Sequence, residues 1–264
     1  MKIARITHDQ QLYYANIIEN DTKAQLIEGD IFDPTGAYHL THTILPLADC
    51  TLLAPVQPRH VYAIGLNYAA HVDEFAHIDP TRIVPKAPIS FMVPPSAISP
   101  AGAPIVLTHD DHPIDYEAEL VVVIGKYGVQ IPEADALRHV LGYTCGNDIS
   151  DRTHQNTDKQ WLRAKGQPTY KPLGPWIVTD IANPQSLQVR SFLNGEPRQN
   201  GNTKDMIFPI ARLIAHISAF TPLYPGDVIY SGTPENVGHL KDGDTITIHI
   251  EGIGTLENPV VFKG

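Results

Sequence analysis

Three carboxylates in two short segments have the spacing of a divalent-cation site. Glu117 and Glu119 stand two apart in the run Tyr116-Glu117-Ala118-Glu119-Leu120-Val121-Val122-Val123-Ile124-Gly125. On a strand, residues two apart project from the same face. Like charges that close raise each other's pKa unless a cation stands between them. Asp148 follows a second apolar run, Leu141 to Asn147. If the two strands are neighbours, three carboxylates converge as hard oxygen ligands suited to Mg2+, with Mn2+ or Ca2+ as alternatives. The plainer alternative is a solvated strand face, since Glu-x-Glu is common.

Other residues offer acid–base and binding chemistry. His71 and Glu74, three apart in Tyr68-Ala69-Ala70-His71-Val72-Asp73-Glu74-Phe75, would share a helix face. A histidine oriented by a carboxylate can serve as a general base toward water; the alternative is a surface helical pair. Arg152 and Gln155, followed by Lys165, supply donors for a carboxylate or carbonyl, and the alternative is pairing with surface acids. Thr233 lies in Tyr230-Ser231-Gly232-Thr233-Pro234, a strand running into a turn that can bring backbone N–H groups and a hydroxyl to a ligand. His109, Asp110, Asp111 and His112 form a metal-like cluster that reads better as a polar loop before a strand. There is no Walker loop, no G-x-G-x-x-G opening a helix and no G-x-S-x-G elbow, so nucleotide cofactors and serine hydrolysis are not expected.

The chain that must position these groups has 264 residues, 42% of them hydrophobic and 18% charged, enough for a substantial core. Its net charge of −10 gives no electrostatic reason to bind nucleic acid or an anionic membrane. Two cysteines, Cys50 and Cys145, are too few for a disulfide framework. The opening MKIARITHDQ carries no apolar run, and none elsewhere nears the roughly 18 residues of a membrane span, so the expectation is a soluble cytoplasmic protein. Prolines and glycines in many turn clusters favour a mainly β chain with some helix, an α+β fold. Residues 1–54 read as a small β-rich N-terminal domain, and residues 55–264 as the catalytic domain. Strands are expected at 116–125, 141–147, 175–179, 187–193, 227–230, 244–250 and 255–262, with a hairpin at Asn194-Gly195. Helical spacing marks 68–78, 133–140 and 205–220. The proline-rich segment 79–104 reads as a wrapping loop.

Taken together, IGLNYAAHVDEF, DYEAELVVVIG, GYTCGNDISDRTHQ, PLGPWIVTD, NGEPRQNGNTKDMIF, PGDVIYSGTPENVG and EGIGTLENPV resemble the fumarylacetoacetate hydrolase family, over about Pro55 to Val261. The resemblance implies a twisted β-roll catalytic domain, usually dimeric, around a divalent cation. It implies metal ligation by Glu117, Glu119 and Asp148. It implies a catalytic dyad of His71 and Glu74 on a lid, joined in catalysis by Lys165, with substrate contacts from Arg152, Gln155 and Thr233. The implied activity is cleavage of a C–C bond in a small anionic 2-oxo or 2,4-dioxo acid through a metal-stabilised enolate, as in acylpyruvate hydrolases and oxaloacetate decarboxylases. Isomerisation or decarboxylation of 2-hydroxydienedioates is the alternative, and an inactive metal-binding member the non-enzymatic one. One departure stands out: Gly65-Leu66-Asn67-Tyr68 has leucine where many such members carry arginine. The stretch after Lys165, Gly166-Gln167-Pro168-Thr169-Tyr170, also differs from the commoner pattern.

Overall fold

The computed structural model describes residues 1–76, 84–109 and 111–263. The fold is mainly β with a few short helices. Its largest sheet runs, from one edge to the other, through His39–Pro46, Lys23–Glu28, Gln11–Ile18, Lys2–His8, Lys171–Val178, Val140–Asn147, Ala118–Ile124, Val228–Tyr230, Val61–Gly65 and Ile89–Val93. The pairing of Lys2–His8 with Lys171–Val178 carries this sheet across the boundary between the N-terminal segment and the rest. A five-stranded sheet is built from Glu196–Asn202, Gln188–Leu193, Thr245–Ile250, Gly254–Phe262 and Ile105–Leu107, and Asn194-Gly195 closes its hairpin. A small third sheet joins Ser150–Asp151, Ile114–Tyr116 and Gly238–His239. No described helix is long and apolar enough to cross a membrane.

Strand Ala118–Ile124 is buried at every position because strands flank both its edges and side chains cover both its faces. Leu120, Val122 and Ile124 enter a core shared with Ile105, Ile248 and Leu256. Val121 and Val123 enter another with Val61, Ala63, Val228 and Tyr230. Each such side chain contributes about 1.5–3 kcal/mol of burial. The rigid centre of the molecule therefore carries the two glutamates at its mouth.

Several expectations change in detail. The strand read as 116–125 is two strands broken at Glu117. Side chains take the backbone there: Glu117 N–H donates to Asn147 Oδ1 (2.9 Å) and Ala118 N–H to Gln199 Oε1 (3.0 Å), so the ladder stops. The segment 79–104 is not wholly loop. Ile89–Val93, a proline-free run between Pro88 and Pro94, pairs with Val61–Gly65 as the edge strand of the sheet, where prolines are tolerated at the ends. Residues 79–83 of that segment lie outside the described residues. The helix read as 205–220 spans only Ile210–Ser218, because Asn67 takes the preceding backbone: Ile207 N–H donates to Asn67 O and Phe208 N–H to Asn67 Oδ1, both at 2.8 Å. Glu133–His139 is a 3₁₀ segment and not an α-helix.

Candidate active site

Four helices matter below: α1 (Ala69–Ala76), α2 (Arg152–Thr157), α3 (Leu162–Lys165) and α4 (Ile210–Ser218). The register that pairs Ala118 with Asn147 sets Asp148 beside Glu117, whose carbonyl accepts the Asp148 N–H at 2.9 Å. Glu117, Glu119 and Asp148 are all buried, at 4%, 1% and 1% exposure, with carboxylate oxygens within 4.8 Å of one another. A solvated strand face is thereby excluded. The three are balanced unequally. Glu117 receives the Arg152 guanidinium at 2.7 Å and the Lys165 ammonium at 2.8 Å. Asp148 receives Lys165 at 3.1 Å and touches Lys171. Glu119 accepts the Gly232 N–H at 2.7 Å and makes no ion pair among the described residues. Gly232 is required there: its φ is +97°, and a Cβ would lie 2.7 Å from the Asn67 Cβ.

The titration behaviour follows this division. Burial works against ionisation of Glu117, yet Lys165 and Arg152 override it and hold the carboxyl well below the usual range. Burial pushes Glu119 up, and the charges of Asp148 and Glu117 push it further. Burial would lower the Lys165 ammonium, but Asp148 and Glu117 hold it charged. Asp148 Oδ1 touches the Lys171 ammonium. A raised glutamate without an ion pair, gathered with two further buried carboxylates, fits a hard divalent cation.

His71 and Glu74 sit on one face of α1, with His71 Nδ1 3.1 Å from Glu74 Oε2. Glu74 Oε1 accepts the Asn236 N–H at 3.1 Å, which ties α1 to the turn after Thr233. The helix is anchored at its start by the fully buried Asn67, whose amide donates to Ser231 O (2.8 Å) and Phe208 O (3.1 Å). The expected helix beyond Ala76 lies outside the described residues.

A narrow cleft, partly open to solvent, brings His71, Glu117, Glu119, Arg152, Gln155, Lys165 and Thr233 together with Ile64, Leu66 and Trp161. Arg152 does not pair with surface acids. It is buried, donating from Nε to Asp115 at 2.6 Å and from the guanidinium to Gln155 Oε1 at 2.6 Å, besides its contact with Glu117. The Thr233 hydroxyl donates to Ala118 O at 2.9 Å and accepts from Gln199 at 2.8 Å. Leu66, at φ +56°, presents an apolar residue to the cavity where many resembling members carry arginine. Trp161 packs over Gly65, where a Cβ would sit 2.6 Å from its ring.

Sequence reasoning passed over Asp115, Lys171 and Gln199. Asp115 continues the alternation of Glu117 and Glu119, so the signal was present. Lys171 opens a strand buried at every position, and a lysine leading an apolar run was its mark. Gln199 gave none. The described histidine segment is irregular backbone before the strand Ile114–Tyr116, as read, and gains partners distant in sequence. His109 and His112 meet Asp151 and His154, with ligand atoms within 4.8 Å of one another, while Asp111 is exposed and Asp110 lies outside the described residues.

Residues 60–261 match the family described as fumarylacetoacetate (FAA) hydrolase C-terminal, and residues 1–55 match that described as Rv2993c-like, N-terminal. The chain is 42% identical to Protein Rv2993c of Mycobacterium tuberculosis, over 100% of this chain and 99% of that protein. It is 41% identical to the mitochondrial oxaloacetate tautomerase FAHD2A of Bos taurus, over 83% of this chain and 72% of that protein. Among solved structures, 5-carboxymethyl-2-hydroxymuconate delta-isomerase from Mycobacterium smegmatis superposes with a TM-score of 0.90 at 42% identity, covering 100% of both chains. With His71 and the buried Glu117 and Glu119 in one cavity, this match over most of its length makes the chain a member of the fumarylacetoacetate hydrolase family.

Proposed function

We propose that this chain catalyses proton transfer beside the keto group of a small anionic 2-oxo acid, interconverting its keto and enol forms or the double-bond isomers of its enol. The observation that carries this reading is His71, held by Glu74 at 3.1 Å, lining the same cavity as the buried carboxylates Glu117 and Glu119. The names of two relatives, a tautomerase and a delta-isomerase, support it. Mg2+, or Mn2+ or Ca2+, held by Glu117, Glu119 and Asp148, would supply Lewis-acid polarisation of the keto oxygen.

The chain's own groups divide the remaining work. Glu74 engages Nδ1 of His71, so proton exchange with the substrate carbon falls to Nε2. The Lys165 ammonium, kept charged, offsets negative charge developing on the substrate oxygen. Arg152 holds Glu117 and fixes Gln155 through its Oε1, leaving the Gln155 amide N–H groups to donate to a substrate oxygen. A contact from the Thr233 hydroxyl requires it to leave Ala118 O. Ile64, Leu66 and Trp161 border the hydrocarbon part of the acid and exclude water from it.

The hydrolase description of the matched family favours a second reading, C–C cleavage of a 2,4-dioxo acid or decarboxylation, with His71 taking its proton from water in the hydrolytic case. A panel decides: enol-oxaloacetate, a 2-hydroxydienedioate, acetylpyruvate and fumarylpyruvate, each with Mg2+ and Mn2+. Loss of enol absorbance without release of carboxylic acid or CO2 supports the first reading. Acid release from the diketo acids, or CO2 release from oxaloacetate, supports the second, and no turnover of any member overturns both. We further propose a homodimer, on family resemblance; a sedimenting species of 29.0 kDa overturns it.

A further inference from the structure

We infer that His109, His112, Asp151 and His154 form a second metal site, selective for a borderline transition ion such as Zn2+, that braces the start of α2. Three imidazoles and one carboxylate meet there, their ligand atoms within 4.8 Å of one another. Such a donor set suits Zn2+ and its neighbours and not Mg2+ or Ca2+, which prefer oxygen. The two clusters of the molecule would therefore take different ions from the same solution.

The geometry is that of ligands gathered around one point rather than of a settled hydrogen-bond network. Two ring nitrogens, His112 Nδ1 and His154 Nδ1, each lie 2.8 Å from the same oxygen, Asp151 Oδ2. Only the His112 contact has hydrogen-bond geometry. His154 Nδ1 is buried in a residue 9% exposed and has no hydrogen-bond partner, although Asp151 Oδ2 is so near. A buried ring nitrogen left without a hydrogen bond 2.8 Å from a carboxylate oxygen is what a shared cation resolves. The rings are already collected: His109 stacks on His112 at 4.1 Å, and His154 meets both edge-on at 5.3 and 4.9 Å. Zn2+ takes such ligands at roughly 2.0–2.1 Å.

The site would act at one remove from the cavity. Asp151 caps α2, its Oδ1 accepting the His154 N–H at 3.0 Å. The next residue, Arg152, holds Glu117 and Asp115, and Gln155 follows on the same short helix. His109 and His112, just before the strand Ile114–Tyr116, together with the cap residue Asp151 and His154 of α2, would fix that helix against the strand. This inference does not depend on the proposed reaction, since metal binding is measured without substrate.

The test uses tag-free full-length protein, stripped with chelator and held in excess Mg2+ so that the carboxylate cluster is occupied. Titration with Co2+ and with Zn2+ should show one tight equivalent. Co2+ should give the intense visible absorption of a four-coordinate, nitrogen-rich site, and Zn2+ should raise the thermal midpoint. His154→Ala and His109→Ala should each lose the absorption and the shift, while Glu119→Ala keeps both. If His154→Ala fails to fold by circular dichroism, His109→Ala decides, because His109 is only half-buried on its loop. The inference is overturned by wild type that binds no equivalent at micromolar ion in Mg2+. Absorption surviving in His109→Ala, or lost only in Glu119→Ala, overturns it equally.

Discussion

The carboxylate centre and the histidine cluster are neighbours through a single peptide, Asp151-Arg152, yet they solve burial in opposite ways. At the carboxylate centre the groups are charged, so the fold surrounds Glu117 and Asp148 with Arg152, Lys165 and Lys171. Uncompensated carboxylates that deep would cost several kcal/mol each. At the histidine cluster the rings can be neutral, so one carboxylate, Asp151, serves both His112 and His154, and no lysine or arginine pairs with Asp151 among the described residues. The lesson is that a counter-charge marks where charge must stay, and a missing one marks where an ion can enter. By that measure Glu119, without an ion pair, and His154 Nδ1, without a hydrogen bond, are the two open positions.

The sharpest way to break this contrast is at Glu119. Glu119→Ala should take turnover on any accepted 2-oxo acid to background, read in the activity assay, and weaken Mg2+ binding, read by calorimetric titration. Retained activity after exhaustive chelation would show that the carboxylates hold charge without holding a cation. His71→Ala comes next. It should lower kcat by roughly 10²–10⁴ with little change in KM, because the base acts only on the proton in flight. An equal loss in binding would reduce His71 to a packing residue.

Arg152→Met tests the counter-charge argument itself. It leaves Glu117 and Asp115 buried without their guanidinium, and denaturant unfolding should show a loss of about 3–5 kcal/mol. A loss below about 1 kcal/mol would mean that Lys165 alone suffices. The smallest effect is in protons. Burial and its two neighbours raise Glu119, so the metal-free site tends to keep its proton, which a divalent cation must displace. Mg2+ binding should therefore release protons and tighten as pH rises. Glu117 runs the other way: its depressed carboxyl stabilises the fold above the ordinary carboxylate range, and that contribution is lost on acidification. Calorimetry in two buffers of different ionisation enthalpy measures the release, and none at any pH would place the proton elsewhere.

Much of this was legible in the residues. The alternation of Glu117 and Glu119, the apolar runs and the spacing of His71 and Glu74 depend on local periodicity, and periodicity is visible in a linear chain. What was not visible depends on partners distant in sequence. The break at Glu117 exists because Asn147 takes its N–H and Gln199 that of Ala118, from 30 and 81 positions away. The helix after residue 205 starts late because Asn67 claims the amides before it. His109 and His112 read as a polar loop because Asp151 and His154, which complete the group, lie about forty residues on. Ile89–Val93 was obscured by its flanking prolines, although an edge position tolerates them.

The packing of Trp161 over Gly65 has a practical consequence. The chain has two tryptophans. Trp176 is locked in the interior, its indole N–H donating to Ile253 O at 2.8 Å. Trp161 borders the cavity and meets Phe91 edge-on at 5.0 Å. The molecule therefore carries a paired optical gauge, with one emitter facing the ligand and one serving as an internal standard. Occupancy of the cavity by a colourless acid can be followed from intrinsic fluorescence, without turnover or any attached dye.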